Sequence, residues 1–380
     1  MFDRETTLAL WLNYGTKHGT VLFQKVSVAF NELEEAFEAA AKGEREAFAA
    51  FPPELSARLI AAAAPGFMER YTGWLSRHKI GVVTLFDPEY PEALRFITHP
   101  PSLLFVRGHL KTDIALPIGV IGSRACSDYG KAMARHLGRQ LAESGATVIS
   151  GLAAGIDSYA TLGALDCQNS EYPTIGVLGC GIDMVYPRGN ETLFDAVEER
   201  GAVISEFLPK TPPLPYHFPV RNRIVAGLSR GIVVVEAGEK SGASITAGIA
   251  LEQGRDVFAV PGRVTDIKSM GTNRMIARGE AKPVMCAGDI LCEYDAGFWG
   301  DDTGGRGKIA FSSLDKNERA VYQALLSGEK NVDFLQEITK ISVAELNSVL
   351  TAMEFAGIIR QSAGRLYACD NLQTSVNMDE

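Results

Sequence analysis

The chain has 380 residues, 46% of them apolar and 22% charged, with a formal net charge of −9. Such a length provides for two or three domains, and the composition excludes collagen-like, disordered and disulfide-stapled classes. No apolar run approaches the roughly 18 residues of a membrane span. The charged N-terminus reads as free of a secretory signal, so a cytoplasmic protein is expected. Six scattered cysteines without a C-x-x-C pair fit that reducing setting and predict neither zinc nor disulfides.

The acidity is uneven. Residues 1–111 carry 12 basic and 13 acidic side chains, residues 112–286 carry 17 and 18, and residues 287–380 carry 8 and 15. The negative balance belongs to the C-terminal quarter, so positive potential in the middle of the chain must come from a focused patch.

In chain order, residues 1–75 read as a helical domain, SAM-like or helix-hairpin-helix-like. Thr caps precede Leu8, Trp11 and Leu12 at helical spacing, and prolines open "PPELSARLIAAAAPG". "YGTKHGT" (14–20) fits a phosphate-binding hairpin or a plain helix–helix turn, and Gly in such turns favours the latter. Residues 76–111 are Pro-rich and extended, a connector packed on the next domain. From 112 to 290, six apolar runs ("IGVIG", "ATVISG", "TIGVLG", "AVISEF", "GIVVVEA", "DVFAVPG") alternate with helical stretches. Near-continuous apolar runs are the mark of parallel strands covered on both faces. This predicts an α/β, Rossmann-like, doubly wound and mostly parallel sheet. A Gly/Asp-rich linker (291–309), a C-terminal winged-helix domain (310–370) and a tail (371–380) complete the chain.

In an open parallel sheet, ligands bind beyond the carboxyl ends of the strands. The first of those loops contains Gly122, Ser123 and Arg124; the second Ser150, Gly151 and Gly155; the third Arg188 and Asn190. The fourth opens a helix with Arg221, Asn222 and Arg223, and the fifth holds Lys240, Ser241 and Gly242. Free backbone N–H groups and the dipole at a helix N-terminus favour an anion, and guanidinium groups fit phosphate oxygens. One such loop proves little, because helix caps alone select Ser, Asn and Gly. Several on one rim suggest a series of phosphates rather than one nucleotide.

Other residues have competing uses. Tyr129, Tyr216 and Phe218 either stack on bases or pack in the core. Asp157 is a helix cap or a site residue. His217 reads as a packing or stacking residue, since no triad partners accompany it. Glu206 and Glu236 end strands, yet neither has a partner carboxylate or metal-ligand spacing, so no catalytic residue, metal or cofactor is expected.

The segments "GVIGSRACSDYG", "SGLAAGIDSYAT", "LGCGIDMVYPRGN", "FPVRNRIVAGLSRGIVVVEA", "SGASITAGIALEQGRDVFAVPG" and "GTNRMIARGE" occur in order. Together they resemble the successive motifs of the DNA-processing protein A (DprA, or Smf) family. "DPEYPEALRFITHPPSLLFVRG" is similar to the segment preceding that core. The resemblance implies a single-stranded-DNA-binding mediator that protects strands and loads the RecA recombinase onto them, including strands held by single-strand binding protein. Natural transformation or DNA repair is the implied setting, and a homodimer the implied assembly. It assigns strand contacts to Arg124 and Arg188, and dimer contacts to Met275 and Ile276. Several members have Lys at the Arg188 position, which keeps the charge.

The winged-helix candidate "SVAELNSVLTAMEFAGI" has no Lys or Arg and carries Glu345 and Glu354. That is unsuited to a phosphate-lined groove, so this domain is expected to contact protein or tune self-association. The rival function is a nucleotide phosphoribohydrolase-like enzyme of a related Rossmann-like group. Its P-G-G-x-G-T-x-x-E motif is replaced here by "EAGEKSGASITAG". An NAD(P)-dependent enzyme is a more distant rival, since its fingerprint glycines are missing from this chain.

Overall fold

The computed structural model describes residues 2–16, 30, 33–114, 116–239, 241–294, 315–325, 330–355, 359–362 and 366–369. Its contacts divide the chain into two units, 1–298 and 299–380.

The first unit begins with helices α1 (Arg4–Thr16), α2 (Leu33–Lys42), α3 (Pro53–Ala62) and α4 (Phe67–Arg77). Asp3 caps α1 by accepting from the Thr6 N–H at 2.8 Å, and a proline opens α3 where no N–H is needed. Their shared core holds Trp11, Leu12, Phe48, Leu55 and Leu59, all essentially inaccessible to solvent. The Trp11 indole N–H donates to the Leu59 carbonyl at 2.9 Å, which satisfies a polar atom inside that core.

Residues 76–111 then form β1 (Gly81–Thr84), a single helical turn α5 (Glu92–Arg95) and β2 (Leu103–Gly108). Strand alternation explains how this stretch fastens the helices to the sheet. Leu103 and Phe105 join the core of the N-terminal helices, while Leu104 and Val106 point into the core of the main sheet.

The expected alternation continues the sheet as β3 (Pro117–Ile121), α6 (Asp128–Glu143), β4 (Thr147–Ser150), α7 (Ile156–Asp166) and β5 (Thr174–Val177). Next come α8 (Glu191–Arg200), β6 (Ala202–Ser205), α9 (His217–Leu228), β7 (Gly231–Val234), α10 (Gly242–Glu252) and β8 (Asp256–Ala259). Helix α11 (Met270–Ala277), a short β9 (Lys282–Pro283) and α12 (Ala287–Leu291) close the unit. The sheet order is β1-β2-β6-β5-β4-β3-β7-β8-β9. Strands β3 to β9 run parallel, and β1 and β2 are added antiparallel at the β6 edge. Helices α6, α7 and α12 cover one face of the sheet, and α9 and α10 cover the other. The chain starts at the centre with β3, runs outward to β6, then returns to place β7 on the other side of β3. That reversal opens the crevice between the β3 and β7 loops where ligands of such sheets bind.

The second unit contains α13 (Lys316–Leu325), β10 (Lys330–Asn331), α14 (Val332–Thr339), α15 (Val343–Phe355), β11 (Ile359–Ser362) and β12 (Leu366–Cys369). Its antiparallel sheet has the order β10-β12-β11. Val321, Leu335, Leu346, Leu350 and Met353 fill its core, so the apolar positions of α15 face inward as their helical spacing requires.

Candidate nucleic-acid interface

The loop after β3 is held from below by the end of β7. The Ser123 N–H donates to the Glu236 carbonyl at 2.8 Å, and the Ser127 N–H donates to the Glu236 carboxylate at 2.8 Å. The Ser127 hydroxyl donates to that carboxylate as well, and accepts from the Gly130 N–H at 3.0 Å to cap α6. Glu236 is thus the brace of the loop, with both carboxylate oxygens engaged. Above the brace, Gly122 and Ser123 are half-buried and Arg124 is exposed. The Arg124 guanidinium lies 4.7 Å from the Phe218 ring centroid, a cation–π contact that orients it.

The second loop is organised by two buried charges. Asp157 accepts from the Gly151 N–H at 2.8 Å, and the Gly122 and Ala153 N–H groups are also directed at it. Arg221 donates to the Gly151 carbonyl at 2.8 Å and to the Val177 carbonyl, and its Nε reaches Asn222 Oδ1 at 3.2 Å. Burial pushes the Asp157 carboxyl above its ordinary range, opposed chiefly by the Arg221 charge. Burial pushes the Arg221 guanidinium down to about 10, and the Asp157 charge works against that shift. Each charge is tolerated inside because it faces the other and because both are hydrogen-bonded. Gly151 has no room for a Cβ beside the Arg221 guanidinium. Gly155 has φ +85°, and a Cβ there would strike the Ser123 and Arg124 carbonyl oxygens. Ser150 is fully buried, its hydroxyl 2.8 Å from that of Thr161.

In the third loop Arg188 is exposed and has no hydrogen bond or ion pair among the described residues. Asn190 donates to the Ser158 hydroxyl at 2.9 Å and the Leu152 carbonyl at 3.3 Å, so its amide joins the second and third loops. Helix α9 begins at His217, so Arg221, Asn222 and Arg223 lie in its second turn rather than opening it; there Arg223 pairs with Glu206, and both side chains are largely buried. Burial pushes the Glu206 carboxyl up, and Arg223 opposes the shift. In the fifth loop Ser241 caps α10 by accepting from the Ser244 N–H at 3.2 Å, and Gly242 borders open space. Lys240 lies outside the described residues.

The residues singled out by sequence therefore separate into two groups. Arg124, Arg188, Tyr129 and Tyr216 are exposed on the rim, with Gly122, Ser123 and Phe218 half-buried among them. Ser150, Gly151, Gly155, Asn190, Arg221, Asn222, Arg223 and Ser241 instead hold loops in place, and the Arg221 and Arg223 guanidinium groups point inward. His217 is buried against Phe207, with ring centroids 4.4 Å apart and its Nδ1 3.1 Å from the Pro212 carbonyl, as expected of a packing residue. The Tyr129 hydroxyl reaches the Pro261 carbonyl at 3.3 Å. Met275 is 7% exposed and belongs to the sheet core, while Ile276 is half-buried against that core. Sequence reasoning passed over Tyr186, whose ring centroid lies 5.4 Å from that of Phe218. Its signal was present: an aromatic two residues before Arg188 in "VYPRGN". Among the described residues no cluster of His, Cys, Asp and Glu could hold a metal ion. No described helix is long and apolar enough to cross a membrane.

Fold and rim together define a Rossmann-like protein whose strand-end loops present helix N-termini and exposed guanidinium groups, joined to a winged helix. Residues 81–295 match the family described as DNA recombination-mediator protein A, and residues 310–365 match the DprA winged helix domain. The chain belongs to this DNA recombination-mediator (DprA/Smf) family. It is 42% identical over 235 residues to the DNA processing protein DprA of Streptococcus pneumoniae, covering 60% of this chain and 82% of that one. With protein Smf of Escherichia coli it shares 37% identity over 298 residues, 77% of this chain and 78% of that one. The X-ray structure of the Streptococcus pneumoniae protein superposes with a TM-score of 0.63 at 32% identity, over 76% of this chain and 98% of that one. A structure of DNA processing protein A from Helicobacter pylori, reported for its unique single-stranded DNA binding mode, gives a TM-score of 0.51 at 27% identity, over 57% of this chain and 98% of that one.

Proposed function

We propose that this chain binds single-stranded DNA along the rim and delivers it to a RecA-type recombinase, protecting the strand meanwhile and accepting strands held by single-strand binding protein. Uptake of DNA in natural transformation, or repair, is the setting the family suggests. The observation that carries the reading is the pairing of exposed Arg124 and Arg188 with the Phe218–Tyr186 aromatic pair, on a scaffold of buried polar contacts. Guanidinium groups take phosphate oxygens, aromatic faces take bases, and neither reads sequence. A single-stranded DNA binding mode is reported for the Helicobacter pylori relative, which supports single-strand binding by this chain. Binding and delivery require no catalytic group, so the chain acts as a mediator rather than an enzyme.

The protein works as a homodimer through the end of α11. Met275 is committed to its own core, so a partner meets the half-buried Ile276 rather than Met275. The C-terminal unit contacts protein or tunes this self-association, because its α15 has no basic residue.

The test is fluorescence-anisotropy binding of a labelled single strand of about 20 nucleotides across a salt series. The logarithm of the binding constant should fall with the logarithm of salt by about 0.7 per neutralised phosphate. Arg124→Ala with Arg188→Ala should lose both affinity and slope while the protein stays folded. Absence of salt-sensitive binding in the wild type would overturn the reading.

A further inference from the structure

The geometry points to a second station for the same strand, on the N-terminal helices: Trp74 stacks a base and Lys210, with the basic end of α4, takes phosphate. The inference rests on the rim being the path of the DNA.

Trp74 lies in the last turn of α4 and is only half-buried, although tryptophan is highly buried on average. One part of the ring packs against the N-terminal core, and His78 stacks on it with centroids 4.1 Å apart. The Lys210 ammonium stands 5.6 Å from the same ring. Core packing explains a buried edge, but not a cation brought to it from a loop 136 positions further along the chain.

That loop lies after β6, at the carboxyl rim of the sheet. Lys210 has φ +66°, which a non-glycine residue rarely adopts, and its N–H is fixed to Asp183 Oδ1 at 2.7 Å. Asp183 belongs to the loop that carries Arg188, and the Gly181 N–H joins the two loops again through the Thr211 carbonyl at 2.9 Å. The same loop continues to Tyr186, which lies against Phe218, beneath Arg124. Basic and aromatic groups therefore succeed one another from Arg124, Phe218 and Tyr186 to Lys210, Trp74 and His78. Such a succession of cations and π-faces is what a sequence-tolerant single-strand path requires.

Charge supports the assignment. Exposed basic residues elsewhere are often paired, as in Arg135 with Asp166, Arg139 with Glu143 and Lys282 with Glu293. Arg77, Lys79 and Lys210 have no ion pair among the described residues. The nearby carboxylate, Asp183, holds the Lys210 backbone N–H and makes no ion pair with its ammonium.

The experiment uses the full chain and thymidine oligonucleotides of about 6 and about 20 residues, lengths that bracket the 4–16 nucleotides typical of one single-strand-binding site. Trp11 is buried, so a Trp299→Phe background leaves Trp74 as the emitter exposed to the strand. The longer strand should quench tryptophan emission, and Trp74→Phe should abolish the quenching without unfolding the protein. Trp74→Ala should weaken binding of the longer strand about 5-fold or more and leave the shorter one unchanged. Lys210→Gln should reduce the salt slope for the longer strand by about 0.7. Steep salt-dependent binding of both lengths with no quenching and no loss in either variant would overturn this second station and leave the rim intact. Absence of salt-sensitive binding at either length would remove the rim reading and this inference with it.

Discussion

The arginines of the first and third loops and those of α9 have the same chemistry and opposite uses. Arg124 and Arg188 extend into solvent, whereas Arg221 and Arg223 lie under the rim, tied to backbone carbonyls, Asn222 and Glu206. The difference teaches that one rim can mount two sets of cations. One faces solvent, where the proposed strand would lie, and the other holds still the loops on which the first is mounted.

The comparison is broken most strongly from beneath. Arg221→Leu leaves Asp157 without its opposing charge and two carbonyls without a donor, and should cost about 3–5 kcal/mol of stability in urea unfolding. Next in size is the exposed pair. Arg124→Ala with Arg188→Ala should leave the urea midpoint within about 0.5 kcal/mol, as for other surface changes. The same variant should weaken single-strand binding about 100-fold, from two charge-assisted contacts of ~1.5 kcal/mol each. If both pairs of arginines affected stability alike, the division between them would fail.

Gly155→Ala sharpens the comparison at the point where the first two loops touch. Its positive φ and the neighbouring carbonyls predict a loss of about 1–3 kcal/mol, and a smaller loss of DNA affinity as Arg124 shifts.

The smallest effect is one of pH. Burial raises the Glu206 pKa above its ordinary value of 4.5, so the folded protein binds this proton more tightly than the unfolded chain. Its contribution to stability is complete below that ordinary value and is lost as pH rises through the folded-state pKa. Relative to Glu206→Gln, the wild type should therefore gain stability as pH falls from neutrality toward 4.5, by at most about 1.4 kcal/mol per pH unit. Urea midpoints of the two proteins across that range measure it, and a wild type that loses ground on acidification would contradict the sign.

The sheet was legible in the sequence because parallel strands covered on both faces are written as short runs of Val, Ile and Gly. "GIVVVEA" and "TIGVLG" allow no amphipathic alternative. Four helix starts were legible too, since Ser127, Gly155, Asn190 and Ser241 advertise them, whereas α9 begins at His217, ahead of the arginines expected to open it. What the sequence does not separate is a cation that faces a ligand from one that faces a carboxylate. "RNR" reads identically in either case, and the partners that decide it, Asp157 and Glu206, are 64 and 17 positions away. The strands of 76–111 were veiled for a related reason. Prolines and an isolated helical turn interrupt them, and only their alternation between two cores reveals their part in the sheet. Trp74 and Lys210 gave no local signal, because their meeting is a product of tertiary structure alone.

One buried carboxylate draws in N–H groups from two loops, at Gly122, Gly151 and Ala153. These amides have no independent way to open. Amide-proton exchange at all three should proceed at one slow rate, set by a cooperative opening of the strand-end loops rather than by fraying of each. On the proposed strand-binding reading, a strand of DNA arriving at such a surface would meet a preformed mould, and little of the binding free energy would be lost to ordering the backbone.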